Sequence, residues 1–131
     1  MNILWVLTGG GLGAVARYLA GVWLMSRFPE PPFPVAMLIV NLVGSLGLGF
    51  FFGLYFQAIP LEAYDDSLYL FLGLGFFGAF TTFSTFSTET VTLLYKKKKK
   101  QAAFYVLFSI GGSIILFLAG YLSSLFMLTA F

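Results

Sequence analysis

Hydrophobic and polar positions divide the chain into four long apolar segments joined by three short polar connections. The apolar segments cover about residues 3–24, 33–56, 68–95 and 102–130. A helix that rises about 1.5 Å per residue needs roughly 20 residues to cross the hydrocarbon core of a bilayer. The pattern therefore predicts four transmembrane helices, a single transmembrane domain over residues 1–131 and an all-α fold.

The composition also indicates a membrane protein. Hydrophobic residues make up 60% of the chain and charged residues 9%. A soluble domain of this size could not bury so much apolar surface. The chain has no cysteine and no histidine, which excludes disulfides, thiolate metal sites and the usual proton shuttle. We predict an integral, multi-pass membrane protein.

The charged residues are concentrated in the connections. Five of the seven basic residues are the lysines at positions 96–100, directly after the third segment. Such a run is typical of a helix end at the membrane surface, and we do not expect a nucleic-acid partner. The second connection is acidic, so the positive-inside rule predicts that both termini lie outside the cell. Ser67 is the predicted N-cap of the third helix.

Small residues recur in the spans at a spacing that favours close helix packing. Gly9 and Gly13 lie four residues apart in the first span, and Gly49 and Gly53 do so in the second. In lipid, this spacing lets two helix backbones approach each other closely. We therefore expect a compact bundle with these glycines at helix contacts.

The third segment contains an unusually polar stretch, GFFGAFTTFSTFSTE, at residues 75–89. Seven of its last nine residues are polar, and hydrocarbon offers no water to satisfy them. The stretch is thus predicted to line a pathway. Gly78 and Thr81 belong to a patch of weak helix formers, which favours either a break that exposes carbonyl oxygens to a cation or an intact helix with back-bonded threonines. The residues alone leave both interpretations open.

Two side-chain patterns are candidates for contact with an anion. Phe83 and Phe86 share one helix face, and the positive edges of their rings suit an anion, although simple packing is the commoner role in a chain with seventeen phenylalanines. Tyr105, Ser109 and Ser113 are spaced by four, so their hydroxyls form a row on the fourth helix. That row suits a small hydrated anion, but each serine is equally suited to bond its own helix backbone.

Three further polar residues lie within the spans. Asn41 is either a fastener between helices or a ligand in the pathway. Arg17 and Glu89 are the charges furthest inside, and an arginine at a helix centre costs about 2.5–3.5 kcal/mol unless it faces water or a partner. Glu89 lies about two turns before the lysines, where we expect a wet vestibule. No catalytic set of residues is present, so we predict that the chain is not an enzyme.

Three motifs in this order resemble the signatures of the CrcB/Fluc fluoride channel family: GGGLGAVARY, FP…VNLVGS and GFFGAFTTFSTFS. The resemblance covers essentially the whole chain. It implies an antiparallel dimer of four-helix subunits, each with a broken third helix, in the plasma membrane of a prokaryote. It also implies two fluoride pathways per dimer and a structural sodium ion at the dimer centre.

The resemblance assigns roles to individual positions. The carbonyls of Gly78 and Thr81 match the sodium site. Met37 is a departure, because family members often have threonine at this position, four residues before the asparagine. The residues that match the fluoride pathway, with the two charged ones near its ends and vestibule, are Asn41, Phe83, Phe86, Tyr105, Ser109, Ser113, Glu89 and Arg17.

The expected function is that of a passive, fluoride-selective channel that exports cytoplasmic fluoride and gives fluoride resistance. Its second subunit is an identical copy or, because the lysine run favours one orientation, an oppositely oriented paralogue. A small multidrug-type, proton-coupled exporter is the alternative, but it needs an acidic residue in the first helix, where this chain has Arg17. A holin-like structural assembly would not account for the ordered hydroxyls and rings.

Overall fold

The computed structural model describes residues 2–29 and 34–131, and every regular element within them is helical. Four helical stretches of the described chain are long and apolar enough to cross a membrane: Ile3–Arg27, Val35–Phe56, Tyr69–Tyr95 and Lys99–Ala130. The prediction of an all-α fold with four membrane-spanning helices is therefore confirmed.

The four spans are built from five α-helices and two π-helical segments. The first span is α1, Ile3–Arg27, and the second is α2, Val35–Phe51, extended by the π-helical segment Phe52–Phe56. The third span has three parts, the π-helical segment Tyr69–Phe77, α3 at Gly78–Phe80 and α4 at Phe83–Tyr95. The fourth span is α5, Lys99–Ala130.

The ends of the helices differ slightly from the predicted spans. Helix α5 begins at Lys99, three residues before the predicted position 102, because lysine is a good helix former and prolongs the helix out of the apolar region. The predicted start of the second span, position 33, lies outside the described residues. The prediction of Ser67 as an N-cap is wrong, because the side chain of Asp66 accepts the hydrogen bond from the Tyr69 amide at 2.8 Å.

Glycines set the distance between the spans. A Cβ atom at Gly9 or Gly13 of α1 would overlap the carbonyl oxygens of Phe71 or Phe76 in the third span. On the other side of the bundle, a Cβ atom at Gly49 of α2 would overlap the Phe117 carbonyl of α5. The backbones are thus in direct contact at these positions, as expected from the spacing of small residues.

The third span leaves helical geometry after Phe80. Thr81 has φ −84° and ψ 158°, and Thr82 has φ −147° and ψ 122°, so both residues are extended. Helix α4 then begins at Phe83, with the Thr82 hydroxyl accepting a hydrogen bond from the Thr85 amide at 3.2 Å. Halfway along the span, the chain therefore runs as two helical halves joined by two extended threonines.

Replacing Gly13 by alanine is expected to destabilise the fold by about 1–3 kcal/mol, because the new methyl group would force α1 away from the Phe76 carbonyl. Gly11 on the same helix is the matched control, since nothing lies within 4 Å of a Cβ atom placed there. Gly11→Ala should stabilise the protein by about 0.5–1 kcal/mol. Thermal unfolding of the purified protein in detergent measures both, and equal melting temperatures for the two variants would refute the contact.

Candidate ion-binding site

Asn41 connects α2 to the interruption of the third span. Its Nδ2 donates a hydrogen bond to the Thr82 carbonyl at 3.1 Å, and its Oδ1 accepts one from the Thr82 amide at 2.8 Å. The side chain is 9% exposed. A single buried amide group thereby satisfies both backbone groups of an extended residue inside the membrane. Asn41 therefore acts as a fastener between two spans, and one N–H of its Nδ2 is not used by Thr82.

Two carbonyl oxygens at the interruption lose the amide donors that a continuous helix would provide. The amide of Thr82 would normally bond the Gly78 carbonyl four residues earlier, but it bonds Asn41. The amide of Thr85 would normally bond the Thr81 carbonyl, but it bonds the Thr82 hydroxyl. Side chains thus take both donors, and the carbonyls of Gly78 and Thr81 are left to other partners.

Thr81, the residue before Thr82, also shows the back-bonding expected for an intact helix. The Phe77 carbonyl accepts hydrogen bonds from the amide and the hydroxyl of Thr81, at 3.1 and 2.8 Å. Thr81 therefore supplies the last hydrogen bonds of the helical half that ends at Phe80. Back-bonding and interruption are successive features of the same short stretch.

A cavity of about 400 Å³ lies between α2, α5 and the interruption of the third span. Its walls are mostly apolar, with a few hydroxyl and amide groups, which is the usual chemistry of a small-ligand site. The described residues that line it include no charged side chain. Its polar and aromatic lining residues are Asn41, Ser45, Thr81, Thr82, Ser109, Ser113, Phe77, Phe83 and Phe86.

The hydroxyl of Ser109 is buried and has no hydrogen-bond partner among the described residues. Ser109 is 6% exposed and lines the cavity. A buried hydroxyl without a partner costs about 1–3 kcal/mol, and folded proteins rarely contain one. Ser123 and Ser124 of the same helix behave differently, since they donate to the Gly120 and Tyr121 carbonyls at 3.0 and 2.7 Å. Ser123 and Ser124 therefore bond their own helix backbone, whereas Ser109 does not do so within the described chain.

Two phenylalanines form one wall of the cavity. The ring centroids of Phe83 and Phe86 are 5.7 Å apart, with the planes tilted by 44°. Phe83 is 78% exposed in the single chain. Phe86 also contacts Tyr105, with ring centroids 5.4 Å apart. Phe86 therefore lies between the cavity and the next polar pair along α4 and α5.

That next polar pair is Tyr105 and Glu89. The Tyr105 hydroxyl donates a 2.7 Å hydrogen bond to the Glu89 carboxylate. Tyr105 is fully buried in an apolar cluster that contains Leu38 and Leu93. The predicted hydroxyl row is thus divided, because Ser109 and Ser113 line the cavity and Tyr105 faces Glu89.

The structure places Arg17 outside the cavity lining, and it adds Ser45 and Thr82 to the polar lining residues that the sequence predicted. Arg17 is half-buried on α1 and does not line the cavity. Ser45 lines the cavity one helical turn after Asn41. Their spacing of four residues was the available signal, because it places both on one face of α2. Among the described residues, no group of three or more acidic, histidine or cysteine residues is arranged to hold a metal.

The family model and the individual relatives that match this chain agree with each other. Residues 4–121 match the family described as CrcB-like protein, Camphor Resistance (CrcB). Fluoride-specific ion channel FluC 1 of Halalkalibacterium halodurans is 60% identical, over 92% of this chain and 95% of the relative. Fluoride-specific ion channels FluC of Gloeobacter violaceus and Agrobacterium fabrum are each 42% identical, over 91% and 92% of this chain and 92% and 93% of the relatives.

These relatives are named as channels, in agreement with the prediction that this chain is not an enzyme. The match includes α1 to α4 and most of α5, and therefore all the helices that form the cavity. The resemblance seen in three short motifs is confirmed, and this multi-pass membrane protein belongs to the CrcB family.

Proposed function

We propose that the protein is a passive, fluoride-selective channel that lets cytoplasmic fluoride leave the cell. The observation that carries the proposal is the buried hydroxyl of Ser109, which has no partner in the described part of the chain and lines a cavity with phenyl rings and an asparagine. Relatives that are named fluoride-specific ion channels support fluoride as the transported anion.

The hydrogen-bond donors of the cavity suit a small anion that is bound weakly enough to be conducted. Fluoride is strongly hydrated, so it must exchange its water for other donors, and O–H and N–H groups form short, strong hydrogen bonds to anions. Conduction also requires that the ion is not held too firmly. The described lining contains neutral donors and phenyl rings but no lysine or arginine. Such a site replaces water without forming an ion pair.

The pathway continues from the cavity past Phe86 towards Tyr105. Ser113, Ser109 and Tyr105 are spaced by four residues on α5, so an ion that leaves one hydroxyl meets the next about 6 Å further along the helix. Phe86 contacts the ring of Tyr105 and lines the cavity, and its edge would accompany this transfer. Glu89, bonded to Tyr105, would lie at the lysine-rich end, with Arg17 assigned to the vestibule by resemblance alone.

A second subunit in antiparallel orientation would complete the pathway. Phe83 lines the cavity yet is 78% exposed in the single chain, so one wall of the site has an open side. The carbonyls of Gly78 and Thr81, which lack their helical donors, suit a sodium ion shared with the partner. Sodium would supply positive charge that holds the two interrupted spans together. The partner is an identical copy or a paralogue.

Liposomes that contain only this polypeptide are expected to release fluoride much faster than chloride, because chloride gains less from small, fixed hydroxyl donors. Ion-selective electrodes measure the release of both anions after a potassium ionophore is added, because the ionophore dissipates the membrane potential that would otherwise stop the efflux. Equal rates, or no flux of either ion, would contradict a self-sufficient fluoride channel. Uptake of a lipophilic cation driven by a pH gradient would instead support the proton-coupled exporter.

Ser109→Ala is expected to lower fluoride flux by about ten-fold or more, because one hydrogen bond to the ion is lost. It should not lower the melting temperature, since the hydroxyl has no partner within the described chain. Phe86→Ile should also suppress flux by removing a ring edge.

The matched controls for these variants lie on α5. Ser123 bonds its own helix, and Phe104 is 52% exposed. Ser123→Ala and Phe104→Ile should leave flux unchanged. A Ser109→Ala channel with full flux would remove Ser109 from the pathway, and a full-rate Phe86→Ile channel would remove the ring edge.

Removal of sodium is expected to weaken the dimer. A ligand present at about 100 times its dissociation constant stabilises the bound form by about 2.7 kcal/mol, so self-association should weaken by about 100-fold when sodium is replaced by a bulky organic cation. Energy transfer between labelled subunits in detergent measures the dimer fraction. If that fraction is the same in both salts at equal ionic strength, the carbonyls of Gly78 and Thr81 do not hold a structural sodium ion.

A further inference from the structure

A second concave feature lies between the end of α4 and the start of α5. It is an open groove of about 590 Å³ with apolar walls, and it shares no lining residue with the ion cavity. The hydroxyl of Thr90 at its edge is already bonded to the Phe86 carbonyl at 2.8 Å. The groove therefore offers an apolar surface with a cationic end, formed by Leu94, Lys99, Ala102, Ala103, Val106 and Leu107.

The groove runs from Lys99 along the apolar part of α5. Lys99 and Leu107 are eight residues apart on α5, which corresponds to about 12 Å along the helix. That length is most of one leaflet of a hydrocarbon core about 30 Å thick. Ala102 and Ala103 have short side chains and so make the groove deep where it meets the lysines. These dimensions suit part of a single acyl chain.

The lysine turn at positions 96–100 concentrates positive charge at the mouth of the groove. Lys97 has φ 58°, and the amides of Lys97 and Lys98 bond the carbonyls of Leu94 and Leu93 at 3.0 and 2.9 Å. This tight helix ending normally uses glycine at the residue with positive φ. All five lysines are exposed, and none forms an ion pair with a carboxylate in the described part of the chain. Their mutual repulsion favours an anion nearby.

The first turn of α5 adds further donors at the same place. Lys98 provides no side-chain cap, and the first amide bonded to the helix start is that of Ala102, to the Lys98 carbonyl at 3.0 Å. The amides of Lys99, Lys100 and Gln101 therefore have no helical carbonyl to bond. Amides at a helix start and the positive end of its dipole both favour a phosphate group.

We propose that this groove is a binding site for an anionic phospholipid. The phosphate would lie against the ammonium group of Lys99 and the first-turn amides of α5, and one acyl chain would occupy the groove along Ala103 and Leu107. A zwitterionic lipid would gain less, because its own cationic group is repelled by the lysines. The lipid lies outside the fluoride pathway and would fix the depth of the α4–α5 turn at the membrane surface.

Native mass spectrometry of the purified full chain tests the site, with phosphatidylglycerol, phosphatidylcholine or inorganic phosphate added to the delipidated protein. Wild type is expected to retain phosphatidylglycerol in preference to phosphatidylcholine. Lys99→Gln should weaken phosphatidylglycerol binding by about five-fold. Ala103→Phe should weaken it to a similar degree by filling the groove while keeping every charge.

Lys97→Gln is the matched control, since it removes the same charge from a lysine that does not line the groove. Its effect should be smaller than that of Lys99→Gln. Equal effects of the two lysine variants, or unchanged binding in Ala103→Phe, would mean that charge alone attracts lipid and would overturn the site. Phosphate that displaces the lipid completely would do the same. Loss of dimer in Ala103→Phe with lipid binding intact would assign the groove to a second copy of the chain.

Discussion

The hydrogen-bond pair between Asn41 and Thr82 is the interaction on which the rest of the site depends. Inside a bilayer, each unsatisfied backbone group costs several kcal/mol, so two extended residues in mid-span need partners from protein. One amide side chain supplies both an acceptor and a donor to Thr82. Because Asn41 takes the Thr82 amide, the Gly78 carbonyl is left without its helical donor. The same interaction therefore stabilises the interruption and takes from the Gly78 carbonyl the amide of a continuous helix.

Close backbone packing brings Asn41 to the place where it is needed. A Cβ atom at Gly44, less than one turn from Asn41, would overlap the methyl group of Thr81. Only a glycine there lets α2 approach the interruption closely enough for the amide to reach Thr82. Gly9 and Gly13 hold α1 against the other half of the third span in the same way. Small residues thus position the polar ones.

The distribution of charge distinguishes the two proposed anion sites. The described lining of the cavity offers neutral hydroxyls, an amide and phenyl rings, which suit an ion in transit. The lysine turn offers full charges and exposed helix amides at the membrane surface, which suit a resident headgroup. Between them, Tyr105, which belongs to an apolar cluster, donates a hydrogen bond to Glu89.

The sequence by itself determined the number and type of the spans, because a bilayer requires about 20 apolar residues for each helix and this requirement is local. It also marked Gly9 and Gly13 as contact positions and residues 75–89 as unusually polar for a membrane span. The tertiary structure alone decided which polar groups are satisfied. Ser109 and Ser123 look alike in sequence, yet only Ser123 bonds its own helix, while Asp66 replaces Ser67 as a cap. The partner of Asn41 lies 41 residues away along the chain, so it depends on which distant backbone lies beside the amide, and no local pattern specifies that neighbour.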